Sequence, residues 1–263
     1  MDLGLGGRPA LVAAASKGLG RACAEALAGE GAAVAICARD GGALQAARDE
    51  IAEATGATVV AIPADVSRED DAVRFVREGA EALGGCHILV ANAGGPPFGR
   101  FEELAEGHVR AALDLNLFST LRMTREALPR MREAGYGRVV VILSLAAKQP
   151  IPSLILSNTI RAGLAGWART LAHEVGPDRI TVNGILPDGV LTDRVRSLHE
   201  DRARRAGRSL EEVMAEAVEE IPVRRFGEPR DVGDLVAFLA SERASYITGT
   251  LVQVDGGAYR GLF

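Results

Sequence analysis

The chain has 263 residues, a net charge of −5, 48% apolar residues and only 4% aromatic ones. That length is enough to bury a full core within one domain, and with so few rings the core must be built from Ala, Val, Leu and Ile. The acidic balance gives no reason to expect a nucleic-acid partner. No apolar run is long enough to span a bilayer, and residues 1–7 lack the regions of a signal peptide, so a cytoplasmic location is expected.

Short Val- and Ile-rich runs at 10–13, 33–37, 58–62, 87–91, 138–143, 180–185 and 251–254 read as seven strands. They lack strict alternation, which suits parallel strands buried on both faces. Between them, apolar residues at helical spacing mark helices over 20–28, 43–54, 69–83, 101–133, 157–175 and 231–240. Strands alternating with helices predict an α/β, doubly wound, seven-stranded parallel sheet with helices on both faces. Glycine makes up 31 of the 263 residues, about 12% against a usual value near 7%. It is spread along the chain, as many strand-to-helix turns require.

The segment 192–222 breaks the rhythm, being charged, helical in pattern and not followed at once by a strand. It would lie beyond the carboxyl end of the sixth strand, where ligands bind in such sheets. That makes it a candidate substrate lid; the plain alternative is a solvated helical excursion. Its Arg202, Arg204, Arg205 and Arg208 run straight into Glu211, Glu212 and Glu216, which reads as a solvated face rather than a phosphate patch. Cys23, Cys37 and Cys86 are far apart and read as small buried residues, and the four histidines form no ligand cluster, so no metal is expected.

The first strand runs into Ala13-Ala14-Ala15-Ser16-Lys17-Gly18-Leu19-Gly20 and then a helix. Gly18 and Gly20 lie where backbone approaches a pyrophosphate and where a helix packs close to a strand. The helix N-terminus offers free N–H groups to the anion. Here the chain resembles the short-chain dehydrogenase/reductase family, including its 3-oxoacyl-ACP reductases, whose TGxxxGxG fingerprint is met with Ala13 and Ala14 in place of Thr-Gly. Asp65-Val66 matches the family's adenine-contacting pair, Asn92-Ala93-Gly94 its NNAG element, and Asn116 the Asn of its catalytic set. Ser144 falls at the catalytic Ser, while Asn183, Pro187 and Thr192 match the stretch beside the nicotinamide. Phe226-Gly227, Tyr246-Ile247-Thr248-Gly249 and Asp255-Gly256-Gly257 match its C-terminal third. The resemblance implies a Rossmann-type dinucleotide-binding domain over 1–263, a small-molecule substrate, and assembly as a homotetramer or dimer.

Three departures matter. After the second strand, Arg39 stands where NAD-preferring members carry an acid, and Lys17 adds a second cation. Both resemble NADP(H)-preferring members, because a guanidinium suits a 2′-phosphate. The family's YxxxK motif is replaced by Ser157-Asn158-Thr159-Ile160-Arg161. A phenol titrates near about 10; a Ser hydroxyl is a far weaker acid, so proton transfer from Ser157 alone is expected to be poor. Arg161 keeps a positive charge for the ribose but does not give up its proton as Lys can. Asp188 replaces a Gly near the cofactor rim, and Lys148, four residues after Ser144, is a candidate replacement donor or a solvent-facing cation.

Three functions are compatible with these residues. The first is an NADP(H)-dependent carbonyl reductase or alcohol dehydrogenase with a non-standard proton relay, using Asn116, Ser144, Ser157 and Arg161. The second is a non-redox lyase, isomerase or cyclase, and the third a catalytically silent binding subunit. The cofactor reading predicts that NADP(H) binds more tightly than NAD(H) and that Arg39→Ala erases the preference, as measured by fluorescence titration.

Overall fold

The computed structural model describes residues 1–262. Its strands are β1 (Pro9–Val12), β2 (Ala33–Ala38), β3 (Val59–Pro63), β4 (Ile88–Ala91), β5 (Gly137–Ile142), β6 (Ile180–Pro187) and β7 (Leu251–Val254). They pair in the order β3-β2-β1-β4-β5-β6-β7, every pair parallel. The helices are α1 (Gly18–Gly29), α2 (Gly41–Thr55), α3 (Glu69–Leu83), α4 (Glu106–Ala112), α5 (Ser119–Ala134), α6 (Ile155–Val175), α7 (Asp193–Ala206), α8 (Leu210–Glu220) and α9 (Pro229–Ala240).

Every residue of β1, β4, β5 and β6 is buried, so these strands tolerate no polar alternation. Two cores result. On one face α3, α5 and α6 cover the sheet with Phe75, Met123, Met131 and Leu164. On the other, α1, α2 and α9 cover it with Leu27, Leu44, Ile51 and Val236. Phe75 is the one fully buried aromatic among the described residues; aliphatic side chains fill the rest. Both faces being covered, only the strand ends are open to a ligand.

The helix expected over 101–133 is not continuous. A 3-10 turn at Phe101–Glu103 is followed by extended backbone at Leu104 and Ala105 before α4 begins. Each start is closed locally: the Arg100 N–H donates to Glu103 Oε2 at 2.8 Å and the Ala105 N–H to His108 Nδ1 at 3.1 Å. A π-helical stretch, Leu113–Phe118, then joins α4 to α5. Ser119 and Thr120 donate their hydroxyls to the carbonyls of Leu115 and Asn116, competing with the helix ladder there. β6 also runs two residues past the expected 185, because Pro187 still pairs with Val254.

The charged segment 192–222 forms α7 and α8, joined at Gly207. Arg204 and Arg205 pair with Asp201, and Arg208 with Glu216, along a solvated surface. No helix among the described residues is long and apolar enough to cross a membrane.

The turn after β1 is the tightest place in the fold. Ala14 sits at φ +51, a conformation that costs a residue with a Cβ about 1 kcal/mol or more. A Cβ on Gly20 would collide with the Ala14 carbonyl oxygen and come within 2.7 Å of Asn92 Nδ2. Gly20→Ala is expected to cost about 2 kcal/mol, measured as a fall in the urea midpoint.

Candidate active site

The site lies at the carboxyl ends of β1, β4, β5 and β6. Ser16, Lys17, Gly18, Leu19 and Gly20 form the turn after β1 and the first turn of α1, where Gly18 sits at φ +61. No side chain caps that helix and no acid stands in its first turn, leaving its N–H groups for an anion. Asn92 Nδ2 donates to the carbonyls of Ala13 and Ala14 at 3.2 and 3.4 Å, fixing the turn to the end of β4. Beyond it, Ala93 and Gly94 lead into the Pro96-Pro97 turn. Arg39, at the end of β2, is exposed. Asp65 Oδ1 accepts from the backbone and hydroxyl of Ser67, and Val66 is buried beneath it.

Lys17 is exposed and pairs at 2.8 Å with Asp193, the first residue of α7. Thr192 caps the same helix, its Oγ1 accepting from the Val195 N–H, and its methyl would lie 3.8 Å from a Cβ on Gly18.

Asn116 stands in the π-helical stretch, fully buried, and donates from Nδ2 to the Gly94 carbonyl at 2.8 Å. Its Oδ1 has no partner. Ser144 follows β5 and accepts at Oγ from the Ala146 N–H, shaping the 3-10 turn Leu145–Ala147 that ends at Lys148. Ser157 and Arg161 lie one turn apart on α6, both buried. Arg161 donates to the Ile142 carbonyl at 2.7 Å, which ties α6 to the end of β5 beside Ser144, and its Nε is unpartnered. Burial, and then the charge of Arg194, push the Arg161 guanidinium down to about 10.

Arg194 was not singled out from the sequence; its one signal was its place two residues past Thr192. It reaches from α7 across the turn 94–98, donating to the Pro96 carbonyl and lying 3.7 Å over the Phe98 ring. A Cβ on Gly95 would come within 2.9 Å of its Nε, so the glycine admits the guanidinium. On the opposite rim Asp188 follows Pro187, its N–H held by the Val254 carbonyl. Burial pushes the Asp188 carboxyl up from its ordinary value, making it a weaker acid; the Gly189 N–H opposes this and Asp255 adds to it.

A family model described as enoyl-(acyl carrier protein) reductase matches residues 13–259. The human dehydrogenase/reductase SDR family member 4 is 35% identical over 96% of this chain and 88% of its own length. The chain belongs to the short-chain dehydrogenase/reductase family. Its fold superposes with a TM-score of 0.95, at 31% identity over the whole of both chains, on the L-sorbose reductase of Gluconobacter frateurii, solved with NADPH and L-sorbose. A short-chain oxidoreductase of Pseudomonas aeruginosa PAO1, solved with NADPH and described as containing an atypical catalytic center, matches at 0.86 and 33% identity over 96% of both chains.

Within this short-chain dehydrogenase/reductase site Asp188 is the half-buried acid. Because its folded-state titration is shifted up, its stability contribution is fullest in acid and is lost as pH rises through that titration. Asp188→Asn is expected to raise the melting temperature at neutral pH, a gain that shrinks as the pH falls towards about 4. Paired thermal melts across that range check it.

Proposed function

We propose that the chain is an NADP(H)-dependent oxidoreductase of a carbonyl or alcohol substrate, working with a non-standard proton relay. The observation that carries this is Arg161: a buried cation with an unpartnered Nε, on the helix that borders Ser144. A buried guanidinium without a counter-charge is costly unless a ligand completes it. The cofactor ribose and the substrate oxygen are the polar groups this position would meet.

The remaining residues fit the same group. The uncapped N-terminus of α1 at Gly18–Gly20, with Ser16 and Leu19, suits the pyrophosphate. Arg39 suits a 2′-phosphate, and Asp65 and Val66 the adenine. Asn92, Ala93, Gly94, Pro187 and Thr192 border the nicotinamide half. When bound, that cofactor supplies or takes the hydride; everything else falls to the chain. Ser144 orients the substrate oxygen, Arg161 holds the ribose, and Asn116 fixes the Gly94 carbonyl while keeping Oδ1 for a water. Segment 192–222 acts as the lid, rooted by Lys17–Asp193 and clamped by Arg194. We place the self-association surface on α4, α5, α6 and the C-terminal segment, where Val109 of α4 and Phe118 of the π-helical stretch are exposed.

Turnover of NADPH with a ketone or 3-oxoacyl thioester panel is expected, with Ser144→Ala reducing kcat by about 100-fold. Substrate conversion with no change in nicotinamide absorbance, or inertness towards the whole panel despite bound cofactor, overturns it.

A further inference from the structure

Most cations of the helical segment are answered within it or at its root. Asp193 gives its carboxylate to Lys17, and Asp201 takes both Arg204 and Arg205. Arg194, the second residue of α7, is different. It turns away from its neighbour Asp193 and crosses to the turn after β4. There its Nη2 donates to the Pro96 carbonyl, and its Cζ stands 3.7 Å over the Phe98 ring. Among the described residues no carboxylate pairs with it, and its Nε and Nη1 donate to no protein group.

Three features suit this guanidinium to a ligand anion. A contact that close to a ring uses the face of the guanidinium and leaves the in-plane donors for a carboxylate, which they meet with two parallel bonds. The turn beneath is held in place, since Asn116 Nδ2 donates to the Gly94 carbonyl at 2.8 Å, and it is cut back to Gly95 where a Cβ would come within 2.9 Å of the Arg194 Nε. The third feature is a second cation. Arg161 is buried, keeps an unpartnered Nε and feels the charge of Arg194. No carboxylate offsets either guanidinium, and burial weighs against the charge of both. Two partly desolvated cations that share a space and repel each other are costly, and an anion entering that space relieves both.

We propose that the substrate is an oxo acid and that Arg194 binds its carboxylate, fixing that end at the lid and leaving the carbonyl end for Ser144. The inference rests on the oxidoreductase reading above and narrows its substrate. Arg194 is then a specificity residue: it selects a charged carbonyl compound over a neutral one of the same shape.

Isothermal titration calorimetry with NADP+ present tests this without turnover. The probes are 2-, 3- and 4-oxopentanoate, each against its methyl ester. At least one acid is expected to bind the wild type about 30-fold more tightly than its ester. Arg194→Met keeps the apolar stem and removes the fork, and that ratio should fall to about one. Arg194→Lys keeps the charge without the fork and should retain a ratio of about 5. Each acid is compared with its own ester on one protein, so a general loosening of α7 changes both affinities and leaves the ratio. Equal affinities for every acid and its ester in the wild type, or no binding by any acid, overturn the inference. A wild-type ratio in Arg194→Met overturns it as well, and a weakened Kd for NADPH beside that ratio would assign the guanidinium to a cofactor phosphate. The oxidoreductase reading fails separately: an acid bound selectively through Arg194 but never reduced by NADPH overturns that reading and leaves the carboxylate site standing.

Discussion

Asn92 joins the end of β4 to the turn after β1 through the carbonyls of Ala13 and Ala14, and the site is arranged around that join. From β1 the sheet proceeds through β2 to β3 in one direction; from β4 it proceeds to β7 in the other. A crevice opens where the order reverses, and the Asn92 amide lies across its floor. Gly20 lets it in: any side chain there would take the space of both the amide and the Ala14 carbonyl. The left-handed Ala14 is the local cost of turning the chain so abruptly out of a buried strand.

Charge is distributed unevenly about this crevice. Arg161 and Arg194 lie on the side of α6 and the 94–98 turn without a carboxylate between them, and the second depresses the titration of the first. Asp188 and Asp255 lie on the β6–β7 rim, and Asp255 makes ionisation of Asp188 harder. The crevice thus has a positive side and a negative side, a field that orients any dipole placed between them.

The sheet was legible because buried parallel strands spell themselves as unbroken Val, Ile and Ala runs, and the Gly-rich turn because its spacing is imposed by close packing. The helix over 101–133 was legible only as apolar periodicity, which carries no mark of an extended pair at Leu104 and Ala105 or of a widened turn at Asn116. Those depend on which side chain captures which backbone group. Ser157 and Arg161 could be placed by register from Ser144, yet the Arg161 bond to the Ile142 carbonyl depends on how α6 seats against β5. The same holds for Lys17, whose partner Asp193 is 176 positions away, and for Lys148 beside Tyr259. Long-range charge pairing leaves no local pattern to read.

The three cysteines lie at zero exposure, Cys23 on α1, Cys37 on β2 and Cys86 just before β4. Burial pushes each thiol up to about 12, so neither alkylation nor oxidation finds a thiolate in the native state. Two are sealed by one face of the sheet and the third by the other. The molecule therefore carries a built-in gauge of its own breathing. The rate at which a thiol reagent gains each cysteine reports how often that layer of helices lifts from the sheet, and a ligand that locks the crevice would be registered far from where it binds.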